Sequence, residues 1–477
     1  MDRAHFLYDA FLRGFPYAPT SCQDALLRQV AGFVTTEDGD ILVVNGYAGT
    51  GKTSLLASVI DVLSGLKVPC VLLSPTGRSA KVLSQYAGRP AYTIHKHIYR
   101  QKSHGDDGFG QFSLSPNKAR GTLFIVDEVS LIGTDSGNRQ GSAEFGSGNL
   151  LDDLVRFVRS GVDCKLILVG DSAQLPPVGL DASPALSSSY MSCFGGVSYA
   201  SLSTVVRQAE GSGILCNATH LREMIAAGVD EACPSALGIT LSGFDDVERV
   251  SGVELIEVLS DAYSRYGEED TVVLCRSNKR ANRYNAGIRA QVQFKEEQLV
   301  RGDKLMIVKN CYQFCEDLEG TDYIANGDIA VLEGIRNYEE RYGLHFADAR
   351  LSLPDYDGQE IHAKVVLDTL SSESPSLTYE QSNMLYQGVS EDYSHIRGRK
   401  KRYEAVREDH FFNALQLKYA EAITCHKAQG GQWKCVFIDN PFWQDVLVAD
   451  DLKWLYTALT RAVEKVYLVN FKDQYFR

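Results

Sequence analysis

"ILVVNGYAGTGKTSLLASVI", residues 41–60, is the stretch from which the fold can be read. Its opening run, Ile41 to Val44, is short and apolar, the mark of a buried strand, and from Leu55 the apolar spacing turns helical. Between them Gly46, Tyr47, Ala48, Gly49, Thr50, Gly51, Lys52 and Thr53 fit G-x-x-x-x-G-K-[ST]. The chemistry of phosphate binding requires that order. Glycines let backbone N–H groups curl round phosphates, and the helix N-terminus adds positive potential. Lys52 then reaches the β and γ phosphates, and Thr53 ligates Mg²⁺. A glycine-rich turn that merely precedes a helix is the plain alternative, and the flanking strand and helix weigh against it.

Further buried strands follow. "TLFIVDEVS", residues 122–130, ends in Asp127, where a carboxylate can hold Mg²⁺, and in Glu128, a candidate general base for the attacking water. Asp-Glu after a strand is often only a solvated turn; after a phosphate loop the balance reverses. "LILVGDSAQLPPVG", residues 166–179, sets Gln174 just beyond a strand, where open α/β sheets keep their ligands. The prolines stop the strand. Together these residues point to hydrolysis of a nucleoside triphosphate, with ATP and Mg²⁺ as the expected cofactors.

The whole chain fits that reading. With 477 residues it is too long for one ordinary core. It is 44% hydrophobic and 23% charged, the composition of a soluble globular protein. The N-terminus lacks a signal-peptide core, no run suits a membrane span, and a cytoplasmic location is expected. Eleven cysteines are scattered without paired metal-ligand spacing; the nearest two are Cys311 and Cys315. A net charge of −13 argues against a protein that merely coats nucleic acid. It leaves room for a basic groove, since the local field governs binding. One local patch is "HIRGRKKRY", residues 395–403.

Strand-like and helical stretches alternate, the α/β signature, and predict two such units. The first covers residues 1–95 and 122–195, the second 196–325 and 419–477. Residues 96–121 read as a projecting hairpin inserted in the first unit. Residues 326–418 read as a small β-barrel inserted in the second. "GTDSGNRQGSAEFGSGN", residues 133–149, reads as a mobile surface loop.

Four later stretches carry a resemblance: "GDSAQLPPVG", "VVRQ", "YAEAITCHKAQGGQWKCVFID" and "LKWLYTALTRAVEKVYLV". Taken with the phosphate loop, in this order, the chain resembles the superfamily 1 helicases. The similarity is to the 5′-to-3′ branch that contains RecD and Dda. It spans Gln23 to Val469 apart from the two insertions. The resemblance implies two RecA-like parallel-sheet motor domains and makes the inserted barrel Src-homology-3-like. It implies an ATP-dependent helicase moving 5′-to-3′ on single-stranded DNA, opening forked DNA in replication, repair or recombination. A short N-terminal part favours a stand-alone, monomeric motor. A single-stranded-DNA-binding protein or a replication or repair factor is an admissible partner. An ATP-gated binding switch that does not unwind, and an RNA helicase of the same superfamily, stay open as alternatives.

Residue by residue, the resemblance implies that Gln23 contacts adenine, Gln174 senses the γ-phosphate, and Gln429 and Gly430 line the nucleotide cleft. Ser21 capping a helix is the competing reading at Gln23. Arg207 and Arg461 correspond to arginine fingers, each supplied by the second unit, with helix capping the lesser reading at Arg461. Pro75, Thr76, Arg78, Thr93, His95, Pro177, Thr424, His426 and Lys427 correspond to DNA contacts. Phe109 and Phe112 are candidates for the pin that splits the duplex, or else pack the base of their hairpin.

Overall fold

The computed structural model describes residues 2–104, 110–134, 144–205, 211–229, 231–311, 313–314, 318, 324–356 and 358–477. The chain divides into two compact units. One comprises Met1–Phe244, Gln444–Thr460 and Arg477; the other comprises Asp245–Trp443 and Arg461–Phe476.

Unit 1 is built on a six-stranded sheet ordered Ala91–Thr93, Cys70–Ser74, Leu123–Val126, Lys165–Gly170, Ile41–Gly46 and Val197–Leu202. Every pairing in it is parallel. Leu123–Val126 is buried throughout and Lys165–Gly170 nearly so, as a sheet covered on both faces requires. One face packs against Arg3–Gly14, Ser21–Thr35 and the phosphate-loop helix Lys52–Gly65 through Phe11, Leu27, Val30 and Leu55. The other packs against Leu150–Arg159 through Leu151, Leu154 and Phe157.

Unit 2 has a five-stranded, wholly parallel sheet ordered Val247–Val250, Ala462–Val469, Trp433–Asp439, Thr271–Cys275 and Ala422–Thr424. A closed barrel of Lys304–Ile307, Ile329–Arg341, Leu344–Leu353, Gln359–Val366 and Leu415–Tyr419 is inserted in it. The fold is thus two RecA-like domains with a Src-homology-3-like barrel in the second, as the sequence leads one to expect.

The boundaries differ from those expectations. Val197–Leu202 pairs with Ile41–Gly46, so the first unit runs past residue 195 to Phe244. Ala449–Leu459 also belongs to it, next to Leu447–Val448, which pairs with Glu231–Ala232. The barrel begins at Lys304, well before residue 326, because its first strand must pair with both Ile329–Arg341 and Leu415–Tyr419. Nor is the whole of 133–149 a free loop: Glu144–Phe145 pairs with Gly110–Leu114, itself half of a hairpin with Tyr99–His104. Cys315 lies outside the described residues.

A buried ion cluster joins the second unit's sheet layer to its barrel. Asp303, fully buried just before the first barrel strand, pairs with Arg289 of the helix Asn278–Gln291. It also pairs with Lys295 at 3.0 Å and accepts the Val300 N–H at 2.8 Å. Arg289 further donates to the carbonyls of Glu297 and Gln298 at 2.6 and 3.1 Å and stacks over Tyr419. Removing the carboxylate strands a buried guanidinium. Asp303→Ala is expected to cost about 3–5 kcal/mol of unit 2 stability; a denaturation midpoint unchanged from wild type would refute that.

Candidate functional site

The parallel sheet of unit 1 sends the exits of Ile41–Gly46, Leu123–Val126 and Lys165–Gly170 to one edge, and the candidate residues collect there. Gly49 and Gly51 have φ of 75° and 76°, a conformation open to glycine at little cost. A Cβ on Gly46 would lie 2.7 Å from the Lys52 side chain. Gly51 opens the helix Lys52–Gly65 with no side-chain cap, which leaves the first-turn N–H groups to an anion. Lys52 folds back onto the Gly46 carbonyl and sits 3.8 Å from Asp171. A loop of glycines, uncapped donors and a lysine held, among the described residues, by a carbonyl and a distant carboxylate fits a polyphosphate.

Asp127 and Glu128 form the second half. Asp127 is buried at the end of its strand and accepts the Glu128 N–H at 2.8 Å. Burial and the neighbouring Glu128 push its carboxyl above the ordinary range, against the pull of Lys52. Glu128 has φ of 58°, an uncommon backbone for a residue with a Cβ, of the kind that gathers at functional sites. Asp127 and Glu128 are two crowded carboxylates, hard oxygens of the kind Mg²⁺ selects.

Gln174 is buried, and its Oε1 has no hydrogen-bond partner among the described residues. A buried amide oxygen without a partner is costly unless something completes it. Gln23 differs. Its Oε1 accepts the Thr20 N–H at 3.0 Å, and its Nε2 donates to the Thr50 carbonyl at 3.0 Å. It is the third residue of a helix capped by Thr20, not by Ser21, and it ties that helix to the phosphate loop. What remains for adenine is one amide hydrogen and one lone pair.

Residues that sequence reading passed over complete the edge. Lys453, Tyr456 and Thr457 share one face of Ala449–Leu459, spaced i, i+3, i+4. The Tyr456 hydroxyl accepts the Ala48 N–H at 2.9 Å and donates to Asp171 at 2.8 Å. The Thr457 hydroxyl accepts the Leu175 N–H at 2.9 Å, and Lys453 donates to the Asp181 carbonyl at 2.7 Å. One helix therefore holds both the phosphate loop and the turn that carries Gln174. The period in "LKWLYTALTRA" marks a helical face, but nothing in it names the face's partner.

The remaining candidates separate. Thr76 caps Gly77–Ala87 by accepting the Ser79 N–H at 3.2 Å, and Thr93 caps Ile94–Ile98 by accepting the Lys96 N–H at 3.3 Å. Pro75, Arg78 and Pro177 are half-buried at the same strand exits. His95 has its pKa lowered to about 4 by burial, so it is a neutral donor rather than a cation. Phe112 packs, partly buried, against the core of unit 1, as in the hairpin-base alternative; Phe109 lies outside the described residues. So does Arg207, and the strand before it and the helix after it belong to unit 1, contrary to the expected second unit.

In unit 2, Arg461 is buried directly after the C-cap Thr460 and donates to the Gly431 carbonyl at 3.3 Å, beside Gln429 and Gly430. Thr424 opens the short helix Cys425–Ala428, which exposes His426. Burial, with Lys418 nearby, lowers the Lys427 pKa to about 8; burial alone lowers Lys418 to about 8. Among the described residues no group of three or more His, Cys, Asp or Glu side chains is placed to hold a metal ion, and no helix is long and apolar enough to cross a membrane.

The family profile described as an AAA domain matches residues 22–232, and that of the UvrD-like helicase C-terminal domain matches 419–469. ATP-dependent RecD2 DNA helicase of Deinococcus radiodurans is 33% identical over 156 residues, 33% of this chain and 18% of that protein. ATP-dependent DNA helicase dda of Enterobacteria phage T4 is 23% identical over 461 residues, 90% of this chain and 94% of that one. A solved structure of two coordinating Pif1 helicases shares the fold with a TM-score of 0.50 at 15% identity, over 97% of this chain and 94% of that chain. The matched profiles and relatives are those of a superfamily 1 helicase of the RecD/Dda-like branch. The chain spans less than a fifth of the RecD2 relative's length.

Two outcomes test this superfamily 1 site. Tyr456→Phe leaves the Ala48 N–H and buried Asp171 each short of a partner. It is expected to lower unit 1 stability by about 1–2 kcal/mol and to weaken nucleotide binding severalfold by calorimetry; wild-type values for both would exclude the anchoring role. Lys427 is charged below pH 8 and loses its proton above it. If it grips a phosphate, single-strand affinity falls as pH rises from about 7 to about 9, and Lys427→Gln flattens the profile. A wild-type profile in that variant removes Lys427 from the contact.

Proposed function

We propose that the chain is an ATP-driven DNA helicase that moves 5′-to-3′ along single-stranded DNA and opens duplex, in replication, repair or recombination. The observation that carries this reading is the shared edge of unit 1. There Lys52, Asp127 and Gln174, whose Oε1 has no partner among the described residues, sit at three neighbouring strand exits, and Tyr456 and Thr457 tie down the loops after two of them. The names of the RecD2 and dda relatives, both ATP-dependent DNA helicases, support it.

The phosphate loop and Lys52 bind and orient the β and γ phosphates. Thr53 and Asp127 would hold Mg²⁺, which offsets the charge of the phosphates. Glu128 takes a proton from the attacking water as its oxygen bonds to the γ-phosphorus and the bond to the β-γ bridging oxygen breaks, leaving ADP and phosphate. Gln174 Oε1 needs a donor; bound water at the γ-phosphate supplies one, and its loss on product release changes the turn that continues through Leu175, Pro176 and Pro177. Arg461 and Arg207 are assigned as fingers on the motif resemblance. Thr76, Arg78, Thr93, His95, Thr424, His426 and Lys427 are assigned to the strand. If grip on DNA phosphates alternates with nucleotide state, hydrolysis yields directed movement.

Forked substrates with a single 5′ or 3′ tail test polarity. Opening of the 5′-tailed fork alone is expected, and preference for the 3′ tail would reverse the assignment. DNA-stimulated hydrolysis without strand displacement would make the chain a binding switch. Stronger stimulation by RNA would move it to RNA. Lys52→Ala should abolish turnover while single-strand binding persists; retained turnover would refute the site.

A further inference from the structure

Between barrel strands Gln359–Val366 and Leu415–Tyr419 the chain inserts two helices, Tyr379–Asp392 and Arg399–Glu408. Leu385, Val389 and Val406 of these helices pack with Leu344, Phe346 and Val366 of the barrel strands and with Phe411. The first begins as helices ordinarily do, with Thr378 in a capping box and Glu380 in the first turn. The second does the reverse. It starts at Gly398, at φ of 101°, with no side-chain cap, and opens Arg399-Lys400-Lys401-Arg402. Cations in a first turn face the positive end of the helix dipole and destabilise it.

Arg397, Arg399, Lys400 and Lys401 are all exposed. Arg402 turns inward to the carbonyls of Ser394 and Ile396 at 3.1 and 3.3 Å, closing the turn that presents the others. Lys400 has Glu404 at 4.0 Å, an exposed pair of little strength. In a chain of net charge −13, a run of cations set against a helix dipole, on an insertion outside both sheets, concentrates positive potential where folding gains nothing from it. The uncapped N–H groups of the same turn add donors.

We propose that this turn, with Arg397, Arg399, Lys400 and Lys401, docks the phosphate backbone of duplex DNA. The inference rests on the DNA-helicase reading and adds a contact to it. Duplex rather than single strand follows from two features. Single-strand sites pair charge with aromatic stacking platforms, and the helix's one aromatic ring, Tyr403, is buried. Four clustered point charges suit the denser charge of the double helix, one per about 1.7 Å of axis.

The test compares the full chain with the triple variant Arg399→Gln, Lys400→Gln, Lys401→Gln, using a short blunt duplex and an oligothymidylate in salt titrations followed by anisotropy. The variant is expected to bind duplex about tenfold more weakly near 0.1 M salt. The slope of log affinity against log salt should fall by about 2–3, at about 0.9 per duplex phosphate contact. Oligothymidylate affinity and the ATPase rate it stimulates should stay within twofold. Unchanged duplex binding, or an equal loss on both ligands, overturns the proposal, the second because it puts the patch on the single-strand path. Matching thermal melts establish that the variant folds. The parent reading fails separately, through absence of DNA-stimulated hydrolysis in the wild type, which leaves the binding comparison intact.

Discussion

Parallel pairing at the centre of unit 1 is the constraint on which the rest depends. Because Ile41–Gly46, Leu123–Val126 and Lys165–Gly170 run the same way, their exits share an edge. Lys52, Asp127 and Gln174 lie far apart in sequence, yet each needs only to follow its own strand to arrive there. The strands are held by apolar burial, so the polar groups at their ends are free to be arranged for chemistry.

That arrangement is stabilised by a polar tie. Tyr456 shares its hydroxyl between the Ala48 N–H and Asp171, and Thr457 meets the Leu175 N–H one helical position on. A hydroxyl that donates once and accepts once satisfies two buried groups in two loops. The next residues after this helix, Thr460 and Arg461, carry the chain out of unit 1 and into unit 2. Chemistry at the loop and the course of the backbone into the second unit therefore meet in one short helix.

Much of the candidate site was legible because the proposed chemistry imposes local spacing. The phosphate loop needs its glycines and lysine adjacent, and Asp127 needs only a strand before it. Assignments that depended on partners fared differently. Gln23 reads as an adenine contact, yet its amide closes a capping box and reaches Thr50. His95 corresponds to a DNA contact in the resemblance, and burial keeps it uncharged. Phe112 reads equally as pin or packing, and it packs. A side chain's polarity is local, but what satisfies it comes from another segment.

Strand and helix periods pointed to two α/β units and an inserted barrel, and glycine-loop chemistry to a phosphate-handling edge, since each follows from residues close in sequence; the resemblance in motif order implied that the units are RecA-like. Domain limits, the ownership of Val197–Leu202 and of Ala449–Leu459, and the role of Tyr456 came from the fold. Those depend on which strand completes which sheet and which hydroxyl fills which vacancy. Such pairings are chosen by the burial and hydrogen bonding of the assembled chain, where many local patterns compete for the same partners.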